Sequence, residues 1–300
     1  MLRRITFLLA ALILAAGTTT ARDLNIVSDI APINALLQAV TQGIQTPVTL
    51  IKSSVSPHDF ALKPSDIRTI EQADVIFWLG PDATPALAKL LQSDRFADKA
   101  VNLAALDGVM QLGLRKAGVF SSDSAADGLD PHMWLAPENA KIWAKAMTGN
   151  LSSNDPQNAE TYQANLANLV DAIDQAVGRI RTRFAQTPPV PYVQFHDAFQ
   201  YFETSFGLSP LGAATSEDDE STSFGTIASL RQVLSAAPST CVFVRDDIQA
   251  KRAAPLTDAT GRKTGWLKPL GNGIADVETT YPALLDSLAK GYADCFSLAR

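Results

Sequence analysis

The sequence predicts an α/β protein with two lobes, each a central parallel sheet covered by helices, joined by one long backbone helix. Short apolar runs of strand length alternate with helical stretches on both sides of the midpoint of the chain. Between these regions, 155–184 keeps a helical apolar repeat that would span about 45 Å, longer than a small domain. A chain of 300 residues is also larger than one hydrophobic core usually supports.

Residues 1–21 have the pattern of a secretory signal peptide. Arg3 and Arg4 precede the apolar run 5–16, which is shorter than the roughly 20 residues that a membrane span needs. Small residues then lead to Ala21, after which we expect cleavage. No cysteine lies near this point, so no lipid anchor is predicted. We expect an exported mature chain without a membrane-inserted segment.

The charge balance argues against nucleic acids and anionic membranes as partners. The chain carries 25 Lys and Arg residues against 31 Asp and Glu residues, a net charge of −6. The basic residues form no stripe of the kind that binds a phosphate backbone. The acidic balance is compatible with cation binding but does not by itself indicate it.

The region 22–153 is predicted to form the N-terminal lobe. The run 75–79 is apolar throughout, as expected for a strand buried on both faces of a parallel sheet. A small-residue and acidic loop is expected at 121–130. The predicted strands are 24–28, 48–52, 75–79 and 101–103, and the predicted helices are 33–41, 64–72 and 85–92, with another beginning near Pro137.

The linking helix is assigned to 154–186 and the C-terminal lobe to 187–300. Asp155 is a good helix cap, and Pro156 suits the first helical position. The acidic run 217–220 is expected in a solvated loop. The predicted strands of this lobe are 192–195, 210–213, 242–244 and 266–269, and the predicted helices are 199–206, 227–236, a stretch from Gln249 onward, and 281–293.

Cys241 and Cys295 are the only cysteines in the chain. An even number of cysteines in an exported protein indicates a disulfide. The alternative is a pair of free thiols that act as zinc ligands. A bond from the C-terminal region to the strand that begins near Cys241 is the more economical interpretation.

The three histidines, His58, His132 and His196, each lie in a short motif beside Asp, Pro or an aromatic residue. Any one of them alone is more often a hydrogen-bonded, partly buried ring than a ligand. His58 follows the second predicted strand and His196 ends a later one, and ligands bind at the carboxyl ends of strands in open α/β sheets. Imidazole is the commonest protein ligand of transition metals. We therefore expect all three rings to converge on a metal in the cleft between the lobes.

The motifs around these histidines resemble those of the cluster A-I solute-binding proteins, the extracytoplasmic zinc or manganese receptors of ABC importers. The matching stretches are Ser-Pro-His-Asp-Phe-Ala-Leu-Lys-Pro-Ser-Asp-Ile at 56–67, Asp-Pro-His-Met-Trp-Leu-Ala-Pro-Glu-Asn-Ala at 130–140 and Phe-His-Asp-Ala-Phe-Gln-Tyr-Phe at 195–202. A histidine in the third motif, His196, resembles the zinc (ZnuA-like) type, whereas manganese members usually have Glu. The resemblance implies a periplasmic, monomeric Zn²⁺ receptor. It also implies an inner-membrane permease partner with its cytoplasmic ATPase.

Two departures from the family pattern concern the metal site. The family carries an aspartate ligand in a Leu-Asp-Pro-Leu-Gly type sequence, and Lys268 occupies that position within 266–271. An ammonium 8 Å from Zn²⁺ would be repelled by about 2 kcal/mol per positive charge, so Lys268 must turn outward, lose its proton or pair with a carboxylate. The fourth ligand would then be water or an acidic neighbour such as Asp59. The family's long His-rich loop is also absent from 121–130.

Secondary roles near the site are predicted for two carboxylates and two aromatic rings. Asp130 and Asp197 are candidates to orient histidine rings through the nitrogen that does not bind metal, with a cap or turn as the alternative. Trp134 and Phe60 are expected to pack around the site, with an ordinary core position as the alternative.

Two other functions remain open at this point. Three histidines with an open water position are also the pattern of a catalytic zinc, which would make the chain a zinc hydrolase. The sequence contains no His-Glu-x-x-His motif and no nucleophile elbow. Lys268 leaves open a degenerate relative that acts as a metal-free binding or adhesion module. The zinc receptor, which is not an enzyme, is the interpretation that the motifs favour.

Overall fold

The computed structural model describes residues 23–216, 222–237, 239–258, 261–273 and 280–300. The predicted signal peptide and the acidic loop at 217–220 lie outside these ranges. Within them the chain is a mixed α/β structure with two larger sheets and a long helix, which confirms the predicted fold class. No helix in the described ranges has the length and hydrophobicity needed to cross a bilayer.

The first sheet has four parallel strands in the order β2-β1-β3-β4. All four residues of its central strand β3 are buried, as its unbroken apolar sequence requires. The predicted strands and helices of this region are present with small shifts at their ends. They are β1 (Ile26–Ile30), α1 (Ala31–Val40), β2 (Val48–Ile51), α2 (Pro64–Gln72), β3 (Val75–Trp78), α3 (Pro85–Leu91) and β4 (Ala100–Asn102).

A ribbon of short strands follows the first sheet and was not predicted from the sequence. It contains β5 (Gly113–Arg115), β6 (Gly118–Val119) and β7 (Ala125–Leu129). Strand β7 occupies much of the stretch expected to be a loop, so that prediction was wrong. Its small and acidic residues lie largely at the surface and lack the apolar alternation that marks a strand in a sequence.

The predicted linking helix is present, but it begins later than expected. Helix α4 (Pro137–Asn154) is followed by a single 3₁₀ turn and then by α5 (Ala159–Gln186). The Asp155 carboxylate accepts hydrogen bonds from the Asn158 amide at 2.7 Å and the Tyr162 hydroxyl at 2.9 Å. These bonds stabilise the turn between the two helices rather than capping one continuous helix.

The second sheet has the order β11-β10-β8-β9-β6. Strands β8 to β11 run parallel, and β6 joins the edge antiparallel to β9. The elements after the long helix are β8 (Tyr192–His196), α6 (Gln200–Phe206), β9 (Gly212–Thr215), α7 (Phe224–Ala236), β10 (Cys241–Val244), α8 (Asp247–Thr257), β11 (Lys263–Trp266) and α9 (Tyr281–Ala299).

The last strand was predicted at 266–269, but β11 ends at Trp266, so the two ranges share only that residue. Gly265 lies in the middle of β11 and packs so closely that a Cβ there would be 2.3 Å from a Phe243 ring carbon. Close backbone approach, and not an apolar pattern, determines where this strand pairs.

One apolar core is shared by both sheets and by α1, α4, α5 and α9. Trp143 of α4 and Ile173 of α5 are fully buried within it. Helix α5 therefore packs along the molecule as a spine. The predicted disulfide is confirmed, since Cys241 of β10 is bonded to Cys295 of α9 and ties the C-terminal helix to the second sheet.

The ribbon connects the two halves of the chain. Because β6 pairs with β9, the second sheet contains a strand from the segment assigned to the N-terminal lobe. The Tyr201 hydroxyl of α6 accepts a hydrogen bond from the Leu112 amide and donates one to the Asp130 carbonyl, both at 2.9 Å. The lobe boundaries at 22–153, 154–186 and 187–300 stay a prediction. The strand pairing and the Tyr201 hydrogen bonds cross these boundaries.

A buried ion-pair cluster fastens the ribbon to the second sheet. Arg115 donates to Asp197 at 2.8 Å and to Glu203 at 2.9 Å. Its guanidinium also lies 4.2 Å from the centroid of the Phe120 ring. Burial raises the pKa of Glu203 to about 7, although Arg115 opposes this rise. Each carboxylate therefore depends on the guanidinium to remain ionised in the interior.

A second buried carboxylate joins the ends of two strands in the first sheet. Asp29 accepts hydrogen bonds from the Leu79 amide at 2.7 Å and from the Ile30 amide at 2.8 Å. Burial raises the pKa of Asp29 to about 7, against the lowering effect of these amides.

We expect this carboxyl to make stability depend on pH. Folded Asp29 keeps its proton up to about pH 7, whereas the unfolded side chain releases it near its ordinary value of 3.8. The folded state therefore binds more protons between these values, and this contribution to stability decreases as pH rises. The stability advantage of the wild type over Asp29→Asn should shrink by on the order of 2 kcal/mol between pH 5 and pH 8. Urea unfolding of both proteins measures it, and a constant difference would contradict the expectation.

Arg115→Met should destabilise the protein by about 3 to 5 kcal/mol at pH 8, because it leaves two buried carboxylates without their cation. The matched control is Arg95→Met, which breaks an exposed pair with Glu71 and should cost less than about 1 kcal/mol. Urea unfolding of both variants tests the difference. Equal losses would mean that the buried cluster does not stabilise the junction.

Candidate metal centre

The three histidines line one small cavity between the ribbon, the first sheet and the second sheet. The cavity has a volume of about 100 Å³. The Nε2 atoms of His132 and His196 are 3.2 Å apart, and their ring centroids are 5.0 Å apart. The His58 ring centroid lies 5.5 Å from that of His132. The lining residues are His58, Asp82, Leu114, Gly128, Leu129, Pro131, His132, His196 and Ser216.

A loop after β2 carries His58. It turns twice, with the Val55 amide bonded to the Lys52 carbonyl at 2.9 Å and the Asp59 amide bonded to the Ser56 carbonyl at 3.2 Å. These turns bring His58 back over the carboxyl end of the sheet, where its ring is partly buried. Its position depends on a loop and not on a strand or helix.

The end of the ribbon holds His132. Asp130 Oδ1 accepts a hydrogen bond from the His132 backbone amide at 2.9 Å and lies 2.8 Å from its ring Nδ1. An ionised carboxylate only accepts hydrogen bonds, so it favours the tautomer with the proton on Nδ1. The lone pair of Nε2 then points into the cavity. Gln200, in the amide orientation that satisfies its own hydrogen bonds, donates to Asp130 Oδ2 at 3.0 Å.

The last residue of β8 is His196, which pairs with Thr215 of β9. Its side chain is 5% exposed. The register of the parallel sheet therefore sets its position, in contrast to the loop that carries His58.

The spacing of His132 and His196 fits two ligands of one tetrahedral zinc. Nitrogens at 2.0–2.1 Å from such an ion are about 3.3 Å apart. The same 3.2 Å distance also suits an N–H···N hydrogen bond between neutral rings. As they stand, no three or more His, Cys, Asp and Glu side chains in the described ranges form a group arranged to hold a metal ion.

Asp82 is a cavity residue that the sequence analysis missed. It follows β3, the strand next to β1, and therefore lies at the same edge of the sheet as His58. The turn before it needs Gly80, which has φ +90° and would place a Cβ 2.8 Å from the Asn102 side-chain oxygen. The rule that ligands bind at the carboxyl ends of strands was a sufficient signal to find this residue.

Neither Asp59 nor Lys268 is among the described residues that line the cavity. The Asp59 side chain is exposed and is not among the residues that line the cavity. Lys268 follows β11, and its Nζ lies 3.6 Å from the point where a Cβ on Gly273 would be. Lys268 is not among the described residues that line the histidine cavity, which fits the first of its three alternatives, a side chain that turns outward.

The predicted partners of the histidines differ from one another in their contacts. Both carboxylate oxygens of Asp197 accept hydrogen bonds from Arg115. Asp197 therefore anchors the ribbon and does not orient a histidine ring through its own hydrogen bond. Burial raises the pKa of Asp197, while Arg115 lowers it. Trp134 is buried, with its ring centroid 5.2 Å from that of His132 and its Nε1 bonded to the Pro269 carbonyl at 2.9 Å. Phe60 is partly buried and packs on the edge of the core.

Comparison with known proteins identifies the family and the fold of this chain. A family model described as ZnuA, zinc-uptake complex component A, periplasmic, matches residues 26–295. The high-affinity zinc uptake system protein ZnuA of Brucella suis biovar 1 is 29% identical over 306 residues, covering 91% of this chain and 92% of the relative. A crystal structure of ZnuA has the same fold, with a TM-score of 0.76 at 19% identity over 91% of this chain and 99% of that one. A zinc-bound ZnuA deletion mutant has a TM-score of 0.72 at 21% identity, over 91% of this chain and 99% of the mutant.

The family match extends over most of the chain and includes all three histidine motifs. The matched range contains the three motifs, the strands of both larger sheets and the long helix. The chain belongs to the ZnuA family of periplasmic zinc-uptake components.

Proposed function

We propose that this protein is a periplasmic receptor that captures Zn²⁺ and delivers it to an ABC-type importer. The observation that carries the proposal is the 3.2 Å separation of two imidazole Nε2 atoms beside a third imidazole in one cavity. Family membership and the names of the relatives support it. Zinc is the cargo of this site, and neutral nitrogen donors suit its borderline-soft character better than an all-oxygen site would.

The proposed zinc ligands are His58, His132 and His196. The fourth position falls to water or to a carboxylate. Asp82 is favoured over Asp59 for this position, because Asp82 lines the cavity and Asp59 does not. Asp130 orients the His132 ring, and Asp197 acts through Arg115 by holding the ribbon that carries His132.

Capture and release are proposed to involve loop movement rather than wide closure of the lobes. Helix α5 packs in the shared core, which resists a large hinge motion. The His58 loop is the proposed moving element, because His58 is the one of the three histidines that lies on a loop after a strand and not in a strand or at the end of the ribbon. An inner-membrane permease, with its cytoplasmic ATPase, is the proposed acceptor of zinc from a monomeric receptor. Cleavage after Ala21 is the proposed route to the periplasm.

Zinc hydrolysis is the second candidate, because three histidines leave a coordination position for water. Zinc-dependent turnover of an activated ester, lost in His132→Ala, would favour it over the receptor. Tight zinc binding without such turnover would favour the receptor. Absence of zinc binding would favour the metal-free binding or adhesion module.

The metal-free mature chain should bind one Zn²⁺ per molecule. His58→Ala, His132→Ala and His196→Ala should each weaken binding by more than the 10- to 100-fold typical of losing an outer partner, because each removes a ligand. Asp130→Asn should fall within that range. Competition titration with a chromophoric chelator measures these affinities, and Asp123→Ala, an exposed acidic variant of the same ribbon, is the control. Equal zinc affinity in the control and the histidine variants would remove the proposal.

Lys268→Asp should change zinc affinity by less than about tenfold, since Lys268 is not among the described residues that line the histidine cavity. The same titration tests this, with Lys251→Asp as a control for the change in net charge. If the wild type binds weakly and Lys268→Asp restores tight binding, the lysine has disabled the site and the receptor function is wrong.

A further inference from the structure

A second and larger cavity lies beside the His58 loop, away from the histidine rings. Its volume is about 530 Å³, within the range of roughly 300 to 1,000 Å³ of small-molecule sites. One wall is the carboxyl end of β2 and the first turns of α1, and the opposite wall is Asn272 and Gly273 after β11. Both sheets therefore contribute to it, as expected of a ligand crevice in an α/β protein.

The charged residues described at this cavity are basic. Lys52 lines it, and Lys268 Nζ lies 3.6 Å from the Cβ position of Gly273 on its opposite wall. Across the described ranges, neither lysine side chain has a hydrogen bond or an ion pair. No Asp or Glu is among the described residues that line the cavity. The N-terminus of the ten-residue helix α1 adds further positive potential.

A largely buried asparagine lines the same cavity. Asn34 is only 6% exposed, and its Oδ1 accepts a hydrogen bond from the Ser28 hydroxyl at 3.3 Å. Its amide nitrogen has no hydrogen bond in the described part of the chain, and it is not among the buried polar atoms that lack a partner. The nitrogen is therefore accessible from the cavity and can donate to a ligand oxygen.

We propose that this cavity binds a small anion through carboxylate or phosphate oxygens. Lys52 and Lys268 supply charge from opposite walls, and the Asn34 amide supplies a directed hydrogen bond. Thr49 and Asn272 are further polar contacts on the two walls. Charge-assisted hydrogen bonds of this kind are stronger than neutral ones and select for anions. The proposal does not depend on zinc binding at the histidines.

The test is calorimetric titration of the metal-free mature chain with citrate and, separately, with inorganic phosphate at constant ionic strength. Saturable binding of one molecule per chain is expected for at least one probe, and the preferred probe identifies the source of the oxygens. Lys52→Glu and Lys268→Glu should each raise the dissociation constant by about tenfold or more. Lys145→Glu, an exposed lysine on α4, should leave it unchanged. Lys52→Arg keeps the charge and should retain binding.

A second measurement uses only the wild type, so its result does not depend on whether the variants fold. The side-chain amide resonances of Asn34 should shift in a saturable way during the same titration, followed by ¹⁵N NMR. Absence of saturable binding for both probes would overturn the proposal. So would equal affinities for Lys52→Glu, Lys268→Glu and Lys145→Glu, or Asn34 resonances that do not move.

Discussion

The ion pair between Arg115 and the buried carboxylates of Asp197 and Glu203 is the interaction on which the candidate metal centre depends. Arg115 belongs to the ribbon that ends at His132, and Asp197 follows His196 directly. The guanidinium thus connects the segment carrying one imidazole to the strand carrying the other. Because the carboxylates are buried, they cannot exchange Arg115 for water at low cost.

The three histidines are placed by three different kinds of element. His196 is set by the register of a parallel sheet. His132 is set by its hydrogen bond to Asp130 and by the bonds of Tyr201 to the ribbon. His58 lies on a loop that contains two hydrogen-bonded turns. The cavity therefore forms only when these distant parts of the chain are folded together.

Lys268 occupies the sequence position of the family's aspartate ligand, but it does not line the histidine cavity. Its ammonium is near Gly273, on the side of the larger cavity, and not among the residues around the histidines. The loop that carries it is held by the bond from Trp134 Nε1 to the Pro269 carbonyl. The Lys268 ammonium therefore lies near the larger cavity, whose described lining residues include no Asp or Glu.

The sequence by itself determined the α/β class, the strands of the first sheet, the long helix, the disulfide and the three histidine motifs. These features depend on local properties: the run 75–79 is apolar at every position, and only two cysteines exist to pair. The ribbon, the pairing of β6 with β9, the position of β11, the partner of Asp197 and the place of Asp82 in the cavity wall were decided by the tertiary structure. Arg115 and Asp197 are far apart in the chain, and Gly265 marks a strand only because Phe243 packs against it. Contacts between distant residues leave no periodic pattern in a single sequence, because their energy comes from burial and charge pairing that exist only after folding.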